Sequence, residues 1–373
     1  MKKFCCSIFL FIGIFLNIWI VYASDNNDFF LVSNAELLEK CLNEESACRL
    51  TNNLTLNSRI TVSGNTILDL DGHAIVPSDD LKLTSGLMLI NRGSKLTIID
   101  QTGSGKISTG PSGKVWAAIQ LLNDKEGTEI GELIVNGGII EGYYYGITGN
   151  GTVHNSKLTI NGGTIKGLNT EDSVGIYQPQ DGEVIINGGN ISGGTGIEIR
   201  AGNLTVNNGN IKGIAPKFVK TVNKSGSTTN GVGIAIAQHT TKKAINVIIK
   251  DGTISGQYAL YEWNPHNNSR DDLNKIKIQI LGGTFTSLAE NGKAIYSQDF
   301  TNFVSGGKFT PKLTEYLTDD ANVVSKNVND NEGLLENQNQ SKKSGFFIKT
   351  TIIILIIGTI GTLGFIYYKR KKL

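Results

Sequence analysis

The chain has 373 residues, enough for one long domain or two ordinary ones, with 18% charged residues and a formal net charge of +2. So near-neutral a balance gives no electrostatic case for a nucleic-acid partner. Forty-five glycines against 6 prolines point to a chain full of tight corners.

Residues 1–23 read as a secretory signal peptide. Lys2 and Lys3 supply the positive start, an apolar run follows, and Val21, Tyr22 and Ala23 suit cleavage after Ala23. The apolar run is long for a signal, which leaves an uncleaved anchor as the alternative. Residues 24–50 are expected to form an N-terminal cap, helical over 29–48. Ser33 and Glu36 are spaced as a capping box, and Leu37, Leu38, Cys41 and Leu42 then share one face. With the signal removed, Cys41 and Cys48 are the only cysteines left. In an exported chain a disulfide between them is expected, with two buried free thiols as the alternative.

Residues 51–311 are organised by a recurring phrase. Residues 158–167 read LTINGGTIKG, 184–193 VIINGGNISG, 204–213 LTVNNGNIKG and 247–256 VIIKDGTISG, with looser copies at 133, 278 and 303. Successive copies at 158, 184 and 204 begin 26 and 20 residues apart. That length holds two or three short strands and their corners, but no crossover helix. Period-two alternation marks the pieces as strands, and stacking such units predicts an all-β parallel coil. Asn136, Asn161, Asn187 and Asn207 fall at one corner and should form a ladder of side-chain amides. A second column pairs a small residue with an aliphatic one: Ala118-Ile119, Gly146-Ile147, Gly175-Ile176, Gly196-Ile197, Gly233-Ile234, Ala259-Leu260 and Ala294-Ile295. Alternation turns the aliphatic residues inward and the small ones outward. About ten coils would make a rod on the order of 50 Å long.

These phrases resemble the right-handed parallel β-helix of the pectate-lyase-like superfamily. They are most similar to the non-catalytic β-helix surface proteins of Gram-positive bacteria, where LTINGGTIxG phrases and segments like residues 173–181 (SVGIYQPQD) recur. The resemblance implies a scaffold shared by enzymes, adhesins and passive stalks. It also implies that Asp69, Asp71 and His73, in an LDLNGHTI-like opening phrase, are structural. Segments 214–230 and 266–274 break the rhythm and are expected to protrude as loops.

Beyond Pro311 the repeat ends. Residues 312–345 are polar and read as a flexible linker. Residues 346–368 are predicted to be a transmembrane helix, and the basic tail at 369–373 places the C-terminus in the cytoplasm. The tail resembles that of sortase-anchored proteins but lacks an LPxTG-like sequence, so retention in the membrane is the expectation.

A search for chemistry finds little. Calcium-dependent lyases need converging oxygen ligands, and hydrolases of this scaffold need facing carboxylates. The acidic pairs Asp79-Asp80 and Asp271-Asp272 are far apart in sequence, and no catalytic residue, metal ligand set or cofactor is assigned. The surface feature left is aromatic. Tyr177, Tyr261 and Tyr296 each follow an inward aliphatic residue, so alternation turns them outward, and Trp263 shares a face with Tyr261. Gln178, Glu198, Arg200 and Glu262 lie close enough to add polar contacts. These eight residues are the candidate ligand-binding set, for a carbohydrate or a host-cell surface ligand. The alternative is that the rings only cover loops or neighbouring strands. The expected function is a membrane-anchored, non-catalytic, adhesin-like or glycan-contacting surface protein. The rivals are a polysaccharide lyase or hydrolase and a purely structural spacer.

Overall fold

The computed structural model describes residues 29–122, 129–150, 155–290, 292–324 and 333–336. The signal segment 1–23 and the span 346–368 lie outside them. Among the described residues no helix is long and apolar enough to cross a membrane.

The strands stack into three sheets that run the length of the molecule, of 10, 9 and 12 strands. One coil shows the plan. Gly182–Ile186 lies in the first sheet, Asn190–Gly193 in the second and Thr195–Ile199 in the third, after which Gly202–Val206 returns to the first. Each strand pairs in parallel with the equivalent strand one coil away. Ile160 pairs with Ile186 and Ile186 with Val206, so the repeated phrase lands on itself. This is a parallel β-helix. Ten strands in the first sheet leave nine spacings of about 4.8 Å, a stack of roughly 43 Å.

The inside is a continuous column of aliphatic side chains, with Ile119, Ile147, Ile176, Ile197, Ile234, Leu260 and Ile295 among them. The amide ladder forms at the corner between the first two sheets. Asn161 Nδ2 donates to Asn136 Oδ1 at 2.8 Å, Asn187 to Asn161 at 2.8 Å and Asn207 to Asn187 at 2.7 Å. The turn after it passes through positive φ at Gly138, Gly163 and Gly189, where a side chain would be strained.

Simple alternation fails in one column. The small residues expected outside point into the helix. A Cβ on Gly146, Gly175, Gly196 or Gly233 would meet Cγ2 of Ile165, Ile191, Ile211 or Ile254 at 2.6–2.8 Å. Ala118, Ala259 and Ala294 belong to the core itself. Two successive residues therefore face inward here. The tube is narrow where the second and third sheets meet, and only a small side chain fits.

Near the N-terminus the helix α1 covers Ala35–Glu44, shorter than the predicted 29–48, because Phe30–Val32 and Ala47–Leu50 pair as strands on either side. Its N-cap is Asn34, one residue beyond the predicted Ser33, and the Asn34 side chain accepts from Leu37 N at 2.9 Å. Leu38, Cys41 and Leu42 are buried in the main core. Cys41 and Cys48 are joined by a disulfide with Cα atoms 6.0 Å apart. Asp69 accepts from Arg49 Nε at 2.9 Å and from Asp71 N at 3.1 Å, and so holds a corner.

Two segments depart from the loops and linker expected of them. Residues 214–230 do not protrude. They fold back over the third sheet, with Val219–Lys220 pairing antiparallel with Thr229–Asn230. Within 312–345, Gly333–Glu336 pairs antiparallel with both Gly307–Thr310 and Asn322–Val324, extending the second sheet.

Candidate functional site

The third sheet carries the site. Its register lines up one outward row across seven strands: Gln120, Thr148, Tyr177, Glu198, Ala235, Tyr261 and Tyr296. Sequence alternation set Tyr177, Tyr261 and Tyr296 on one face, and the register puts them in one line with Glu198. It did not anticipate what lies over them.

The segment 214–230 covers the middle and C-terminal part of that row. Glu198 is fully buried, and its carboxylate accepts from the backbone N–H and the hydroxyl of both Thr228 and Thr229, at 2.8–3.2 Å. Burial pushes this carboxyl up, and the neighbouring Arg200 acts against that. Arg200, also fully buried, donates to Tyr177 Oη at 3.1 Å and to the carbonyls of Ala237, Lys224, Ser225 and Gly226. It also contacts Nε2 of His266, which comes from the segment 266–274. Phe218 packs on Tyr258 and Tyr261 with ring centroids 4.8 and 4.6 Å away. Lys220 lies 5.2 Å over the Trp263 ring.

The expected exposure of the aromatic rings is thus corrected. Tyr177, Tyr261 and Trp263 are only 6%, 3% and 3% exposed, and Tyr296, stacked on Tyr261 at 4.7 Å, is half-buried. The polar members are covered as well. Gln178 is buried and donates to Gln180 O at 2.8 Å. Glu262 sits in register with Ile236 and turns away from the outward row. Its Oε2 accepts from Ser297 Oγ at 2.7 Å and from Gln298 N and Asp299 N at 3.0 Å.

The N-terminal part of the row stays open. A cleft of about 400 Å³ runs there, lined by Ser85, Trp116, Gln120, Tyr145, Thr148 and His239 among others, with Ser225 and Gly226 of the covering segment as one wall. Trp116 is 41% exposed. Tyr144 meets its ring edge-on at 5.6 Å, and Tyr145 stacks on Tyr177 at 5.1 Å. Tyr177 is the one member of the predicted set that borders this cleft. Trp116 and Tyr145 were missed in the sequence. Extending the outward row two coils towards the N-terminus, to Gln120 and Thr148, would have led to them.

Exposed Arg59 donates to Oγ of Ser85 at 3.0 Å, so one cation touches the lining of the cleft. Its described lining residues include no Asp, Glu, Lys or Arg. His239 is held neutral, its pKa lowered to about 4 by burial first, then by Arg200 and His266, against a hydrogen bond to the Ser225 backbone. Gln180, beside the cleft-lining Gly149 and Asn150, accepts from Asn150 N through Oε1, while its buried Nε2 has no partner among the described residues. Among the described residues no group of three or more His, Cys, Asp or Glu stands ready to hold a metal ion. The arrangement offers stacking surface, hydroxyls and amides. Its described lining residues include no facing carboxylates. No protein-family model, no curated protein and no solved structure matches this chain.

Proposed function

We propose that the chain is a non-catalytic bacterial surface protein, a right-handed β-helix held outside the cell, that contacts glycans through the cleft at Trp116. The observation that carries this reading is the cleft itself. It places an exposed indole and a tyrosine beside hydroxyl and amide groups on a rigid sheet face. Aromatic faces flanked by a few oriented polar groups suit the alternating apolar and hydroxylated faces of sugar rings. The lack of carboxylates among the described lining residues favours holding a glycan over cleaving it.

In this reading residues 1–23 are removed on export. The helix α1 shields the N-terminal end of the coil, where apolar core and strand edges would otherwise meet water. Residues 346–368 cross the membrane and leave the basic residues 369–373 in the cytoplasm, as the apolar run and its Lys-Arg-Lys-Lys end suggest.

The test is a glycan array and a polysaccharide-degradation screen on the full-length chain in detergent, with Trp116→Ala beside it. Binding without degradation is expected, weakened about tenfold or more in the variant. Shortened polysaccharide products would replace the reading with an enzyme, and binding to nothing would leave a spacer.

A further inference from the structure

We infer that the outer face of the first sheet is a docking surface for a second copy of this chain, turned end for end. The inference stands apart from the glycan reading, since the cleft lies on the third sheet.

Three outward rows cross this face. The central row alternates Ile and Thr without a break over seven strands, from Ile67 to Ile248, and none of the seven side chains is buried. Ala47 extends the row by one strand. On one side of it Lys95, Glu132, Lys157 and Glu183 alternate in sign, and Glu132 pairs with the lysines flanking it at 3.2 and 3.7 Å. On the other side runs the amide ladder from Asn136 to Asn207. Outward β-branched residues suit any exposed strand. What singles this face out is that it matches itself about a two-fold axis.

An axis laid along the strands, between Gly131–Val135 and Ser156–Ile160, turns the face onto itself with the order of the coils reversed. Those are the fifth and sixth of the sheet's ten strands, so the whole sheet overlaps. Every Ile of the central row then meets a smaller side chain of the other copy: Ile134 meets Thr159, Ile185 meets Thr97, Ile67 meets Thr205 and Ile248 meets Ala47. Under the same rotation Lys95 meets Glu183, Glu132 meets Lys157 and Asn136 meets Asn161. At the ends Leu31, 59% exposed, comes over Leu281. One like-charged pair results, Arg49 with Lys250, and Arg49 is already bonded to Asp69. Turning about the stack axis instead would set Ile on Ile and the charged row on the amide row. Nine spacings of about 4.8 Å by five residues of about 3.3 Å give a face of roughly 700 Å². That is close to the ~800 Å² each partner buries in a standard interface. The exposed ion pairs fix which way round the copies lie more than how tightly they hold.

The experiment is sedimentation velocity on the full-length chain in detergent, over about 0.1 to 100 μM. The parent should pass from monomer to dimer within that range. Thr159→Lys, beside the axis, and Thr205→Lys, two coils away, should each weaken pairing about tenfold or more. Both sites are partly exposed, so each variant should keep the parent's thermal midpoint at the lowest concentration. Residues 123–128 and 151–154, outside the described set, precede the two central strands, and Thr205 lies away from both. A chain carrying Lys95→Glu, Glu132→Lys, Lys157→Glu and Glu183→Lys keeps the alternation of sign within each copy. It should pair with itself in preference to the parent, read by fluorescence transfer between labelled chains. A parent that stays monomeric throughout would overturn the inference. A dimer that both lysine variants leave unchanged would do the same, as would a charge-swapped chain that mixes with the parent as readily as with itself.

Discussion

A carboxylate inside a solenoid has to be compensated at each oxygen, and Glu262 is compensated at one. Oε2 takes three donors from the turn 297–299, whereas Oε1 is buried with no partner among the described residues. Burial, acting against those hydrogen bonds, raises the pKa from 4.5 to about 7. The sign follows from linkage. Between these two values the unfolded chain has released a proton that the folded chain still holds, so stability falls as pH rises through that window and levels off above it. The displacement corresponds to about 3 kcal/mol. Glu262→Gln, which keeps an oxygen for the three donors but cannot ionise, should lack that loss. Urea midpoints for the parent and the variant between about pH 4.5 and pH 7 would measure it. His239 pulls the other way, losing stability as pH falls from 6.5 towards about 4, but it does so equally in both proteins. Parallel curves for the two proteins would sink the assignment.

At the scale of the strand, the glycine column sets how close the second and third sheets can approach. A Cβ on Gly196 would stand 2.6 Å from Gly233 O and 2.8 Å from Ile211 Cγ2, and neither neighbour is a loose side-chain end. Gly196→Val should therefore destabilise the protein by about 1–3 kcal/mol through overpacking. If the column faced outward, as plain alternation suggests, the same change would be neutral; denaturant midpoints decide between the two. This column also shows where the sequence was legible. Pairings such as Ile160 with Ile186 join copies of one phrase, so the repeat itself announced them. The inward turn of Gly196 was hidden because an outward small residue and an inward one leave the same letters in the same places. The cover over Tyr177 and Tyr261 was hidden for another reason. Its contacts join unlike stretches far apart in the chain, such as Arg200 with Gly226 and with His266, and no repeat or periodicity encodes them. The cleft was half legible for the same reason: its sheet wall belongs to the repeat, and its Ser225–Gly226 wall belongs to the segment that breaks it.

The molecule as a whole is close to one-dimensional, since every coil pairs chiefly with the coil before and the coil after. In such a stack stability is a sum of local terms, and a weakened end frays without dissolving the centre. The N-terminal end is fastened by α1 and by the Cys41–Cys48 disulfide, which closes a loop with a sequence separation of 7. Removing a cross-link over so short a loop should cost about 2.5 kcal/mol on the chain-entropy model. The cost should fall where the bond is. Replacing both cysteines by serine should raise amide exchange in α1 and in the first strands, Ala47–Leu50 and Leu54–Leu56. The central strands Gly182–Ile186 and Gly202–Val206 should keep the parent's protection. The cleft begins at Leu83–Ile90, one strand inward of the third sheet's N-terminal edge strand Ile60–Val62, so on the proposed reading glycan binding should survive the double change at moderate temperature and fail earlier on heating. Hydrogen exchange read peptide by peptide separates this from a globally cooperative fold. Equal loss of protection in the terminal and central strands would mean that the coils melt as one body and that the ends hold no separate control over the site.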